Sequence, residues 1–161
     1  MYDFMAWLQG SALGHAMRES GVWTYGVVNL FHILSVASLF GAVLILDLRL
    51  LGVWPSVSLR SVTETSVPVA ATAFTAAVIT GTCLLATKAT EYTSNPFLYI
   101  KFSAIPLALL NVWITHRLPG WKAIGSGQIT PRQARRLRVA GGLSLVLWLT
   151  AVAAGRLIAY W

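Results

Sequence analysis

At 161 residues the chain has room for one domain, and with 57% hydrophobic against 11% charged residues it carries too little polar surface to cover a water-soluble core. The formal charge of +7 does not point to nucleic acid, because Arg132, Arg135, Arg136 and Arg138 crowd one segment instead of coating a face, a pattern that sets membrane topology. The single cysteine, Cys83, excludes an internal disulfide and any CxxC motif, and inside an apolar run it reads as a small packing hydrophobe.

The amino terminus does not read as a secretory signal, since Asp3 stands where positive charge is expected. Residues 3–18 are too few to span a bilayer. Phe4, Trp7, Leu8, Ser11 and His15 recur there at helical spacing, which predicts an amphipathic interfacial helix that caps the rest. Four long apolar runs follow, over residues 24–46, 65–87, 97–116 (interrupted by Lys101) and 139–160 (interrupted by Arg156). About 20 helical residues cross a hydrocarbon core of about 30 Å, so each run is long enough. Backbone groups in lipid must be satisfied within helices or a closed barrel, and the ten-residue alternation of barrel strands is absent. The expected fold is therefore an all-α membrane protein: residues 1–161 form a single transmembrane domain, a four-helix bundle in which no convincing internal repeat is seen, although two helical hairpins of similar size leave one open.

Basic residues orient it. The first loop (47–64) carries Arg49 and Arg60, and the third (117–138) carries Arg117, Lys122 and the arginine cluster, whereas the second has only Lys88 beside Glu91. Loops one and three are expected on the cytoplasmic side, with both termini outside. Trp23, Tyr25, Tyr92, Tyr99, Tyr160 and Trp161 would then mark the outer interface, and Trp54, Trp113 and Trp121 the inner one. Ala73, Ala77 and Gly81 on the second span, and Ser144, Trp148, Ala151 and Gly155 on the fourth, make faces suited to close helix approach. Pro68 reads as punctuation near the start of the second span, and Pro106 lies within the third. The outer faces of spans two and four suit lipid, a second copy or a larger membrane complex.

Ionisable side chains inside a membrane are costly and are functional candidates by default. His32 lies roughly 12 Å into the first span, and Lys101 and Arg156 about 6 Å from the outer ends of the third and fourth. Asn29, His32, Ser35 and Ala42 share one face; Lys101, Ala104, Ala108, Asn111 and Thr115 share another. Both faces are expected to point into the bundle. His15 is placed to fold back over the outer half, while His116 ends the third span on the opposite side. A neutral imidazole is a common axial ligand of haem iron, and lysine or arginine pairs with haem propionates or a quinone carbonyl. The blander readings are a His32 hydrogen-bonded across helices to Asn29, Ser35 or a carbonyl, Lys101 and Arg156 snorkelling to the interface, and Asp47 paired with Arg49 at the boundary. Hydrolase and nucleotide chemistry lack support: there is no GxSxG, no phosphate loop and no intramembrane carboxylate pair, and the GSG at 125–127 is a plain loop.

The run from His32 to Gly52 (HILSVASLFGAVLILDLRLLG), then Thr80 and Gly81, Tyr92, the NPF at 95–97, Lys101, Asn111, His116 and the GRLIAY at 155–160, resembles a group of uncharacterised bacterial four-helix membrane proteins over nearly the whole chain. More remotely, it is similar to HemJ-type protoporphyrinogen oxidases and CopD copper-resistance membrane proteins. The HemJ type pairs a first-helix histidine with a third-helix lysine, as His32 and Lys101 would here. That resemblance implies a bacterial inner-membrane location and a haem-linked or redox, electron-transfer role. The leading expectation is a haem b or quinone-type site in the outer half. His32 would be the ligand or proton-relay group, and His15 a second ligand to the haem iron. Lys101 and Arg156 would pair with anionic groups, with Asn29 and Asn111 alongside; no catalytic residue is assigned. The alternative is a non-catalytic membrane subunit or a small-solute or copper transporter whose buried polar groups only hold helices together, although Met1, Met5 and Met17 form no copper-binding motif.

Overall fold

The computed structural model describes residues 1–161, and all of its regular elements are helical. Two short helices, α1 (Tyr2–Gln9) and α2 (Ala12–Glu19), stand where one interfacial helix over 3–18 was expected. The break has a local cause: Gly10 closes α1, and the Ser11 hydroxyl caps α2 by accepting from the Gly14 amide at 3.3 Å. Four helices follow that are long and apolar enough to cross a membrane: α3 (Gly21–Leu51), α4 (Leu59–Thr87), α5 (Pro96–Arg117) and, after a one-turn α6 (Pro119–Lys122), α7 (Pro131–Leu157). This is a multi-pass membrane protein, with both termini at one end of the bundle and the arginine-rich connections at the other.

Caps, not hydropathy, set where these helices begin and stop. Ser58 starts α4 by accepting from the Ser61 amide, so Pro68 stands nine residues inside the helix and is not its punctuation. Thr130 and Gln133 form a reciprocal capping box with Pro131 in the first turn, and α7 therefore begins eight residues before the apolar run. The arginine cluster lies on the first two turns of α7, not in a loop. Gly52 ends α3 in the left-handed region (φ 104°), where only glycine is at ease, with its amide returned to the Arg49 carbonyl.

Packing is that of a helix bundle dissolved in lipid. Only 28 of the 161 residues are buried, and they are mostly small or polar, while Phe31, Ile33, Leu34, Ile79, Leu107 and Val146 are exposed. Large apolar side chains face the solvent that suits them, and small ones let the backbones approach. Helix α3 packs on α4 and α7, and α7 packs on α5, whereas α4 and α5 barely meet. The middle of the bundle is closed by Leu39 and Val43 of α3, Ala73 of α4, Ala108 of α5 and Trp148 of α7. Phe74 meets Trp148 edge to face there, centroids 5.9 Å apart. Lower down, the buried Asn111 amide donates to the Ala140 carbonyl at 3.0 Å and ties α5 to α7.

The terminal end has its own core. Met5 and Leu8 of α1 pack on Ala86, Ala89 and Leu98, with Ile158 beside them, so α1 covers the ends of α4, α5 and α7. Polar bonds hold the cover down. Gln9 accepts from the Thr90 amide and hydroxyl at 2.9 Å each, and Arg18 donates to the carbonyls of Gln9, Ala86 and Thr87. A cation on the last carbonyls of a helix also complements its dipole.

Candidate functional site

Beneath that cover, the inner faces of α3 and α4 meet at His32. An ideal Cβ on Gly81 would lie 2.9 Å from the His32 ring, so the imidazole occupies space that any other residue at 81 would fill. One turn of small residues on α4 is thus spent on admitting a large polar ring. The ring is also oriented. His32 Nδ1 lies 3.0 Å from the Thr80 hydroxyl, and that hydroxyl is 2.6 Å from the Ala76 carbonyl. With its single proton on the nearer Ala76 carbonyl, Thr80 accepts from His32, and in that arrangement Nδ1 carries the hydrogen and Nε2 keeps a lone pair; the Ala77 backbone is a second hydrogen-bond partner of the same ring. His32 stands eleven residues after Gly21, about 16 Å along the helix and deep in the apolar layer.

Lys101 is half-buried on α5, five residues in from Pro96. Its side chain passes over Gly155 of α7, with Nζ 3.4 Å from where a Cβ would be, an ordinary contact distance, so the ammonium stem lies against α7. The ammonium is within electrostatic reach of the His32 ring. The chain's two ion pairs, Arg60 with Glu64 and Lys88 with Glu91, lie elsewhere. Lys101 therefore has no counter-ion inside the bundle.

The remaining candidates separate. Arg156 follows Gly155 by about 100° around α7 and faces outward, where its guanidinium donates to the Tyr160 hydroxyl and lies 4.8 Å from the Tyr160 ring centroid. It snorkels along the surface and does not enter the bundle beside Lys101. Asn29 is half-buried one turn from His32 on the same face. Asn111 is ten residues beyond Lys101, about 15 Å along α5, and its amide is used by Ala140. His15 is exposed on α2, and His116 is exposed at the other end, packed at a tilt against Trp121 with centroids 4.4 Å apart. No three His, Cys, Asp or Glu side chains gather anywhere as a metal-binding group. In the 3₁₀ turn Ala89–Ser94, burial pushes the Tyr92 phenol up, with Tyr25 and Glu91 adding to the effect, so it remains a neutral donor at the terminal end.

Sequence reasoning misplaced one carboxylate. Asp47 is not paired with Arg49: two residues apart on a helix they point some 200° from one another. Arg49 donates to the carbonyls of Val57 and Pro55, while Asp47 turns inward, 3% exposed, toward Ser144 of α7. Its Oδ2 has no hydrogen-bond partner. The signal was available in the small residues facing it, since Gly141 lets α7 come within contact of the Asp47 carbonyl and Leu50.

Comparison with known proteins adds a family and nothing about chemistry. No curated protein matches the chain, and no solved structure does, so neither comparison supports the remote likeness to HemJ-type and CopD proteins. One family profile, described as "Family of unknown function (DUF6644)", matches residues 4–161. That match takes in α1 through the carboxyl terminus, and the chain belongs to the DUF6644 family.

Proposed function

We propose that this protein lies in a bacterial inner membrane, arginine-rich end toward the cytoplasm, and holds a haem b or quinone-type redox group in the terminal half of its bundle. The single observation behind the reading is the His32 environment. A membrane-buried imidazole is held in one tautomer by Thr80, which leaves Nε2 uncommitted near an ammonium with no counter-ion. Both groups cost free energy to bury and neither is fully used by the chain itself. Haem or quinone, when bound, would supply one-electron chemistry that no side chain here offers. His32 Nε2 would ligate the iron or accept a hydrogen bond from a quinol. Lys101 would neutralise a propionate or polarise a quinone oxygen. Thr80 fixes the ring, as partners of ligating histidines commonly do. Because His15 is exposed on α2 and Arg156 is turned to Tyr160, the reading rests on His32 and Lys101.

One observation favours a second reading, a non-catalytic membrane subunit. The His32 ring fills the notch at Gly81 so closely that it serves as a packing key between α3 and α4. The absence of any metal-binding group gives the copper-transport variant no such support. Purification in mild detergent and a visible spectrum separate the two. A Soret or quinone absorbance that vanishes in His32→Ala while the protein stays folded supports the redox site. A colourless, quinone-free wild type whose stability falls in His32→Ala leaves only the packing key.

A further inference from the structure

At the opposite end of the bundle a cleft of ≈ 510 Å³ opens between the close of α3, the start of α4, the 3₁₀ turn Ala123–Ser126 and the first turns of α7. Three guanidinium groups line it, from Arg49, Arg60 and Arg138. They reach it from three different helices, so their convergence is a product of the fold and not of one basic run. Their internal partners do not balance them. Arg60 has Glu64, and Arg49 is pinned by the carbonyls of Val57 and Pro55. Arg138 has no ion pair; it lies across Gly52, with Nε 3.8 Å from where a Cβ would sit.

Helix polarity deepens the imbalance. Both α4 and α7 begin at this end, so their positive termini face the cleft region together with the arginines. Arg60, in the first turn of α4, opposes that helix's dipole, whereas Arg49 in the last turn of α3 complements its own, and an external anion relieves the strain at Arg60. The depth of the site says which anion. The cleft lies where α3 and α4 leave the apolar layer, and the connection between them carries exposed Val53, Trp54 and Val57, the kind of side chains found at headgroup level. A guanidinium matches a phosphate with two parallel hydrogen bonds.

We propose that Arg49, Arg60 and Arg138 seat the phosphate of an anionic phospholipid headgroup, with its acyl chains running along the exposed apolar face of α3 and α4. A free phosphate ion offers the same oxygens without the chains, and the experiment tells them apart. The full chain in zwitterionic detergent is titrated with short-chain phosphatidylglycerol, phosphatidylcholine or inorganic phosphate while its thermal midpoint is followed by tryptophan fluorescence. Phosphatidylglycerol is expected to raise the midpoint saturably, and phosphatidylcholine to leave it unchanged. Arg138→Gln should weaken the phosphatidylglycerol response by roughly tenfold, the loss of one bidentate pair, with Arg138→Lys intermediate. Arg135→Gln, exposed and outside the cleft, should respond like the wild type. Equal responses to both lipids, or an Arg135→Gln loss as large as that of Arg138→Gln, would overturn the proposal. So would a full response to inorganic phosphate at matched concentration, which would assign the cleft to a soluble anion. If Arg138→Gln does not fold, Arg138→Lys carries the test, since it retains the charge and loses the planar fork.

Discussion

His32 and Gly81 are complementary across the α3–α4 interface: the imidazole stands 2.9 Å from the position a Cβ at residue 81 would take. This contact involves the edge of a ring already held by Thr80, so neither partner can move far. Gly81→Ala should therefore overpack the interface and cost about 1–3 kcal/mol. Removing the ring should release the strain, so His32→Ala with Gly81→Ala should be less damaging than the sum of the single changes. A coupling of about 0.5–3 kcal/mol in a denaturation cycle is the expected result. Strict additivity would show that the two residues do not meet.

The tautomer of His32 follows from Thr80 and can be tested separately. Thr80→Val keeps the shape of the side chain and removes the only hydroxyl facing Nδ1. Losing that acceptor, with only the Ala77 backbone left to bond the ring, should cost about 0.5–1.5 kcal/mol. Thr80→Ser should remain close to the wild type. In nitrogen NMR of labelled imidazole, the wild type and Thr80→Ser should show a protonated Nδ1, and Thr80→Val a shift toward the other tautomer. A wild-type ring protonated at Nε2 would remove the basis for treating that nitrogen as a free ligand.

The bundle itself was legible because the membrane imposes it: runs such as 24–46 and 65–87 have no other way to satisfy their backbone in oil. Small residues at 73, 81, 151 and 155 announced the contact faces for the same reason. Side-chain direction was harder. Lys101 and Arg156 stand at similar depth and look equivalent in sequence, yet one lies over Gly155 and the other is turned away to Tyr160. A single step along α7 decides between inside and outside, and hydropathy carries no such phase. The long α7 was readable in principle from Thr130, Pro131 and Gln133, but its arginines mask the helix when apolarity is the guide. The cleft at Arg49, Arg60 and Arg138 depends on how three helices converge, which no local pattern encodes.

Asp47 makes the third prediction. Its carboxyl group is buried against α7, with Oδ2 lacking a partner. An amide of the same shape removes the cost of holding an ionisable group there. Asp47→Asn should therefore be at least as stable as the wild type. Asp47→Lys, which places a longer cation against Gly141 and Ser144 of the same interface, should be destabilised by more than about 3 kcal/mol. Thermal midpoints in detergent test both. A marked loss in Asp47→Asn would mean that the carboxylate binds a cation or a charged partner at this depth, and Asp47 would then join the list of functional candidates.

The cover at the terminal end should open on its own. An eight-residue helix such as α1 has no independent stability, and it is kept in place by Met5 and Leu8 against Ala86, Ala89 and Leu98 and by the bonds from Thr90 to Gln9. Met5 is 1% exposed, so Met5→Ala should cost about 2–5 kcal/mol of docking free energy. Because the central layer around Leu39, Ala108 and Trp148 is separate from this cluster, the loss should be local. Hydrogen exchange should quicken in α1 and in residues 89–94 while the middle of α3 and α7 stays protected. Leu98 is one turn from Lys101, so the same variant should also let a water-soluble amine reagent reach Lys101 faster than in the wild type. Uniform loss of protection along all four spans would mean that α1 is part of the bundle's global fold and not a separately opening cover.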